Sequence, residues 1–400
     1  MKMMRFNYQA IMYAFLLTVL ATQYGVITVK ADNINVPSTK QALGQRLFFD
    51  NNLSLYRTQS CATCHMPTAG FADARDNGVM GAVSMGDDGH SLGDRNAPTI
   101  TYAMFSPPFG QVADGTYRGG QFHDGRALDL AAQAAKPLIN AIEMGLPSEA
   151  MAVMRIQENT AYVTAFRQLY GSTIFADVVQ AYAAIADSIA AFEHTENFAP
   201  FDARYDRFLR GEYQLTEQEE LGRTLFFSQQ FTNCNLCHQL RNSARASDEV
   251  FSNYTYHNIG VPVNYTVRSL NSVTADHLDL GLLNNPQIID VQQAGKFKVP
   301  TLRNIAVTAP YMHNGVFKDL RTVVLFYNKY NSRSDARQIN PETGQRWQIP
   351  EVADNLSLEQ LETGPALDDR RIDALVAFME TLTDQRYEPL LQAQSSLEMP

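Results

Sequence analysis

Cysteine is scarce in this 400-residue chain: Cys61, Cys64, Cys234 and Cys237 are all there is, and they fall into two C-x-x-C pairs with nothing left over. That pairing in so long a chain excludes a small disulfide-stapled fold and assigns cysteine to site chemistry. Tryptophan occurs once, at Trp347. Basic residues are outnumbered, 32 Lys plus Arg against 42 Asp plus Glu. The resulting charge of -10 argues against a backbone-driven nucleic-acid binder and leaves a surface suited to a basic protein partner. Long apolar runs are also missing. The run Ala10–Ala21 has 12 residues, whereas a membrane span needs roughly 20. What is present suffices for two packed cores, with 45% hydrophobic and 18% charged residues.

The short run has the shape of a secretory signal. Lys2 and Arg5 precede it without an acid, and Val29-Lys30-Ala31 offers a small-residue cleavage site before Asp32. Removal of residues 1–31 leaves 29 basic against 42 acidic residues, or -13, in an exported, periplasmic protein with no stable membrane span. An uncleaved N-terminal anchor is the alternative. Beyond this segment the chain repeats itself. Leu43-Gly44-Gln45-Arg46-Leu47-Phe48-Phe49 precedes the first cysteine pair, and Leu221-Gly222-Arg223-Thr224-Leu225-Phe226-Phe227 precedes the second. A period this long reads as one domain duplicated and fused. Val178, Tyr182, Ile185, Ile189 and Phe192 recur at helical spacing and predict the helix closing the first half. Ile372, Leu375, Val376, Met379 and Leu382 predict a last helix, started by Asp368-Asp369. Strand-like alternation is scarce, and Phe105 to Gly120 reads as long loop. The expected fold is mainly α: two fused domains with long loops, at 32–204 and 205–345, then a tail at 346–400 with the closing helix.

Each cysteine pair is followed at once by histidine, in Cys61-Ala62-Thr63-Cys64-His65 and Cys234-Asn235-Leu236-Cys237-His238. This is the c-type haem attachment pattern. Two thiols two residues apart reach the two vinyl groups of one porphyrin, and the adjacent imidazole meets the iron as proximal ligand. A zinc site drawing on four thiolates leaves both histidines unexplained, and a thioredoxin-like redox pair wants a βαβ context that is not apparent. Two covalent haems are the expected cofactors, and the two fused, mainly α domains read as cytochrome c-like haem domains with long loops.

With those motifs stand Arg95-Asn96-Ala97-Pro98-Thr99, Phe122-His123-Asp124-Gly125-Arg126, Pro300-Thr301-Leu302-Arg303-Asn304 and Thr308-Ala309-Pro310-Tyr311-Met312-His313-Asn314-Gly315. Together they resemble the bacterial di-haem cytochrome c peroxidase family, most closely its MauG-like branch, from about Leu43 to Leu382. The resemblance implies a peroxide site at the N-terminal haem and electron entry or charge storage at the C-terminal one. It implies Tyr327 as axial ligand of the second haem, where typical peroxidases carry methionine; the plainer reading is a buried aromatic with Met312 as ligand. A phenolate favours higher iron oxidation states than a thioether does. Glu143 falls where the family carries its distal acid-base group, with Gln133 to hydrogen-bond peroxide or water and Pro137 to shape the pocket. Asn96, Thr308 and Pro310 match positions holding a calcium ion between the domains, and oxygen donors of that kind suit Ca²⁺. His90 lies near the loop where typical members carry a blocking ligand, and a solvent-facing histidine with a five-coordinate haem is the preferred reading. Arg303 and His313 read as structural or propionate partners, and His194, His257 and His277 as bland.

Two departures matter. His123 stands where the family usually has a tryptophan between the haems, and an imidazole carries charge less readily than an indole; it could instead carry protons or hydrogen-bond across the gap. Thr232 stands where MauG-type members carry the surface tryptophan used on a protein substrate. The expected reaction is peroxide reduction, with a small redox protein as donor, a cytochrome c or cupredoxin, or with a protein substrate. A MauG-like oxidase of a protein or small molecule is the first alternative, and a non-catalytic dihaem electron carrier the second.

Overall fold

Ser, Thr, Asp and Asn write the helix starts of this chain. The computed structural model describes residues 36–397 apart from residue 275, so the expected signal segment lies outside the described residues. In the first half run α1 (Lys40–Phe48), α2 (Leu130–Ile139), α3 (Glu149–Gln157), α4 (Thr160–Tyr170) and α5 (Val178–Glu193). In the second run α6 (Glu217–Phe226), α7 (Leu320–Asn328) and α8 (Asp369–Glu380). Their caps are Thr39, Asp129, Ser148, Asn159, Asp177, Thr216, Asp319 and Asp368, each accepting a first-turn backbone N–H through its side chain. Such a cap is worth about 1 kcal/mol. Among the described residues the strands amount to three two-residue antiparallel ribbons, and no helix is long and apolar enough to cross a membrane. The fold is mainly α.

Both apolar stripes form helices where their spacing put them, but the second is not the last: past the turn Gln385–Tyr387 a further helix runs over Glu388–Leu397. In α5, Tyr182, Ile185, Ile189 and Phe192 are buried, while Val178, in its first turn, is 40% exposed. In α8, Ile372, Leu375 and Met379 are buried, Leu382 just beyond it is too, and Val376 is half-buried. The stretch from Phe105 to Gly120 departs from a plain loop. Asp114 accepts the Thr116 N–H, and the turn this makes pairs Gly110–Gln111 with Tyr117–Arg118.

The two halves are built alike. α5 packs on α1 and α8 on α6, and in each case the helices cross at a glycine. A Cβ on Gly44 would lie 1.7 Å from the Ser188 carbonyl oxygen, and one on Gly222 1.8 Å from that of Ala374. No other residue permits either crossing. Beside each lies a ring cluster: Phe48, Phe71, Phe192 and Phe198 in the first half, Phe226, Phe251, Phe378 and Tyr205 in the second. Each fully buried ring stabilises the fold by roughly 1.5–3 kcal/mol.

Candidate functional site

The two cysteine pairs occupy matching turns. Cys61–Cys64 forms one helical turn, opened by the Ser60 N–H on Thr63 Oγ1 and closed by the His65 N–H on the Cys61 carbonyl at 2.8 Å. Cys234–Leu236 forms a tighter turn, closed by the His238 N–H on the Cys234 carbonyl at 2.9 Å. All four thiols are free and half-buried. His65 Nδ1 donates to the Phe71 carbonyl at 3.1 Å, and His238 Nδ1 donates to that of Phe251 at 3.1 Å. Because a carbonyl only accepts, each imidazole is fixed as the tautomer whose Nε2 lone pair is free for a metal. Phe71 and Phe251 hold φ of +55° and +57°, a costly conformation for a bulky residue, and that twist turns their carbonyls onto the imidazoles. The carbonyls of Pro98 and Pro300 face the same two rings. Burial lowers both imidazole pKa values, that of His238 to about 4, which keeps them neutral and able to coordinate.

At one matching helix position the two halves diverge. α2 follows Asp129 and α7 follows Asp319, and the eighth residue is Pro137 in α2 and Tyr327 in α7. Tyr327 is near enough to Cys237 and Cys234 for both to raise its phenol pKa, though burial is the larger cause. No group among the described residues hydrogen-bonds its hydroxyl. Pro137 has no donor atom to offer. One turn before it, Gln133 is half-buried, and the backbone after it folds back: the N–H groups of Asn140 and Met144 reach the Pro137 carbonyl at 3.3 and 3.2 Å. That return brings Glu143 beside the first thiol pair, where its charge adds to the burial that pushes the Cys64 thiol up to about 11. Burial raises the Glu143 pKa, opposed by Arg126 and by a hydrogen bond from Asn140.

A buried charged seam adjoins the Pro98 and Pro300 segments that face the two imidazoles. Arg95 holds Asp279 at 2.6 Å through Nε and a second nitrogen, and Asp124 at 2.6 Å. His123 donates Nε2–H to the Asn96 carbonyl at 3.0 Å, and burial lowers its pKa to about 4. Lys298 donates its ammonium to the Gly120 carbonyl at 2.5 Å, and burial lowers its pKa to about 7. Asn96 and Pro310 both border the Gly81-Ala82 turn, the Asn96 amide donating to Ala82 at 3.1 Å, and Thr308 abuts Gly70. His90 is exposed, with a hydrogen bond of 3.0 Å to the Asp88 carbonyl. Arg303 is fully buried and spent on Asp206 and the Glu249 carbonyl, so its role is structural. His313 stacks on Phe297 at 3.6 Å with both ring nitrogens unpartnered among the described residues.

A sequence profile described as di-haem cytochrome c peroxidase matches residues 38–214. The methylamine utilization protein MauG of Paracoccus denitrificans is 54% identical over 351 residues, covering 88% of this chain and 90% of that one. The chain belongs to the di-haem cytochrome c peroxidase family. A cytochrome c551 peroxidase of Pseudomonas aeruginosa is 27% identical over 72% of this chain and 71% of its own. The crystal structure of the diheme peroxidase BthA from Burkholderia thailandensis superposes with a TM-score of 0.76, at 30% identity and 88% coverage of both chains. As a di-haem peroxidase family member the chain is an oxidoreductase, and the family implies two haems. The residues present fit them: two free thiols, one imidazole of fixed tautomer and a carbonyl anchor recur at each site. Sequence reasoning missed Lys298, Asp279 and Glu193. Glu193 ends α5 buried, its Oε2 unpartnered among the described residues, and it perturbs Cys61. Its signal was available, since an acid inside an apolar stripe stands opposite Met379 of the repeat.

Proposed function

We propose that this chain is an exported, periplasmic di-haem peroxidase that reduces hydrogen peroxide at the His65 site and relays or stores oxidising equivalents at the His238/Tyr327 site. The observation that carries this is the single helix position occupied by Pro137 in one half and Tyr327 in the other: one side is left without a donor, the other is given a phenol. Cys61, Cys64 and His65 would hold the first haem, and Cys234, Cys237 and His238 the second. Bound haem supplies the redox chemistry for cleaving the O–O bond. Glu143 then takes the proton from the near peroxide oxygen and returns it to the far one, work for which a half-buried carboxyl with a raised pKa is suited. Gln133 orients peroxide by hydrogen bonding, and Pro137 keeps the space open. Asn96, Thr308 and Pro310 offer amide and carbonyl oxygens to a calcium ion, and the donor is a small redox protein.

A second reading, a MauG-like oxidase acting on a protein or small molecule, is favoured by Tyr327 and by the 54% identity to MauG. The Thr232 hydroxyl is tied to the Leu225 carbonyl at 2.6 Å and offers no redox-active ring, so that protein's substrate is not carried over. The test is EPR of the diferric protein before and after stoichiometric peroxide, with Tyr327→Met as control. One high-spin and one low-spin signal, both lost on peroxide addition, are expected. Two low-spin signals indifferent to peroxide, in oxidised and half-reduced protein alike, would leave only an electron carrier.

A further inference from the structure

Each proximal segment is tied across the molecule to the distal turn of the other half. Pro98 faces His65, and two residues before it the Asn96 N–H donates to the His313 carbonyl at 2.7 Å. Pro300 faces His238, and two residues before it the Lys298 N–H donates to the His123 carbonyl at 2.8 Å. His123 and His313 stand at matching places. Each follows a residue of positive φ, Phe122 at +62° and Met312 at +72°, and each leads to the capped helix carrying Pro137 or Tyr327. The backbone that grips one imidazole thus holds the turn that aims the other site's distal helix, and the exchange is made twice.

The two ties are not equal. The His123 ring adds its own hydrogen bond to the Asn96 carbonyl, so both backbone groups of Asn96 are held, one by each histidine turn. The His313 ring makes no such bond. Lys298 grips the first turn twice, through its N–H on His123 and its ammonium on Gly120.

We propose that His123 is a positioning residue: its Nε2–H on the Asn96 carbonyl locks this reciprocal tie, so that a ligand arriving at the first haem site is felt at the second. The inference rests on the di-haem reading above, and goes beyond it by naming a hydrogen-bonded route between the sites that needs no aromatic ring at position 123.

The test uses the holoprotein with cyanide as the probe of the open site, reading the EPR g-values and midpoint potential of the other haem. In the wild type, cyanide shifts both. His123→Phe, which fills the space without a donor, abolishes the shift while both haems stay attached, and His123→Gln, which keeps an N–H, restores it. An undiminished shift in His123→Phe, or none in the wild type despite cyanide binding, overturns the proposal alone. Failure of cyanide to bind the wild type overturns the functional reading with it. Should His123→Phe not fold, hydrogen exchange of the wild type decides: cyanide is expected to change protection at Asn96 and Lys298 together, and a change confined to Asn96 refutes the tie.

Discussion

The two halves share a glycine crossing, a ring cluster, a thiol turn and a left-handed phenylalanine behind each imidazole, yet they part at the places where chemistry is decided. Pro137 holds the position that Tyr327 holds in the repeat, and Glu193 at the end of α5 stands where Met379 stands in α8. The scaffold is therefore duplicated to hold two alike cofactors, and a few side chains on it make the two sites unlike. At that one position the first half carries a ring without a donor atom and the second a phenol. The comparison can be broken at each of these positions.

The largest effect belongs to Glu143. Glu143→Gln keeps the size and loses the proton carrier, and a fall of about 10²–10⁴ in peroxide turnover is expected, with both haems still attached. The pH profile gives the sign. A protonated Glu143 cannot accept a proton, so wild-type turnover drops as pH falls through a pKa that burial has raised above the ordinary carboxylate value. The glutamine variant should lose that limb, and a profile unchanged by the substitution would remove Glu143 from the mechanism.

Exchanging the helix residues tests the comparison directly. Pro137→Tyr places a phenol where the second half has one, and the high-spin ferric signal should become low-spin, with reaction toward peroxide lost. Tyr327→Phe does the reverse and should produce a second high-spin signal. Spectra indifferent to both changes would mean that neither position faces iron.

Glu193 differs from Met379 in what it costs. Burial raises its pKa to about 8, while the same carboxyl in the unfolded chain titrates near ~4.3. Between those values the folded chain holds a proton that the unfolded chain releases, so stability falls as pH rises, and the contribution is complete only below the lower value. Glu193→Met, which copies the other half, should remove that slope and stabilise the protein at about pH 8 by roughly 2–4 kcal/mol. Thermal unfolding at pH ~5 and ~8 measures it, and an unaltered slope would show that Glu193 has a compensating partner.

Much of this is legible in the sequence. The doubled C-x-x-C-H states the cofactor chemistry because covalent attachment fixes its own spacing, and Asp368-Asp369 ahead of an apolar stripe placed α8 within a residue. The placing of Glu143 beside the first thiol pair was reached through resemblance alone. It depends on backbone returning from Asn140 and Met144 to Pro137, which no periodicity reports. Lys298 and Asp279 stayed hidden for a related reason. Their importance comes from pairing across the chain, with Gly120 and Arg95, and a lone charge in a loop reads as solvated.

The smallest effect asks whether the halves unfold as one. Asp177 caps α5 by accepting the Val179 N–H at 2.9 Å, and Asp368 caps α8 by accepting the Arg371 N–H at 2.9 Å. Replacing either by Ala should cost about 1 kcal/mol. The halves exchange the Asn96–His313 and Lys298–His123 bonds and share the buried Arg95 with Asp279 and Asp124, so calorimetry should give one transition that both variants lower alike. The double variant should then lose the sum of the two, since the sites touch no common partner. Two transitions, each moved by only one variant, would mean that the cross-ties are too weak to bind the duplicated domains into one cooperative unit, and would take the ground from under any route of communication built on them.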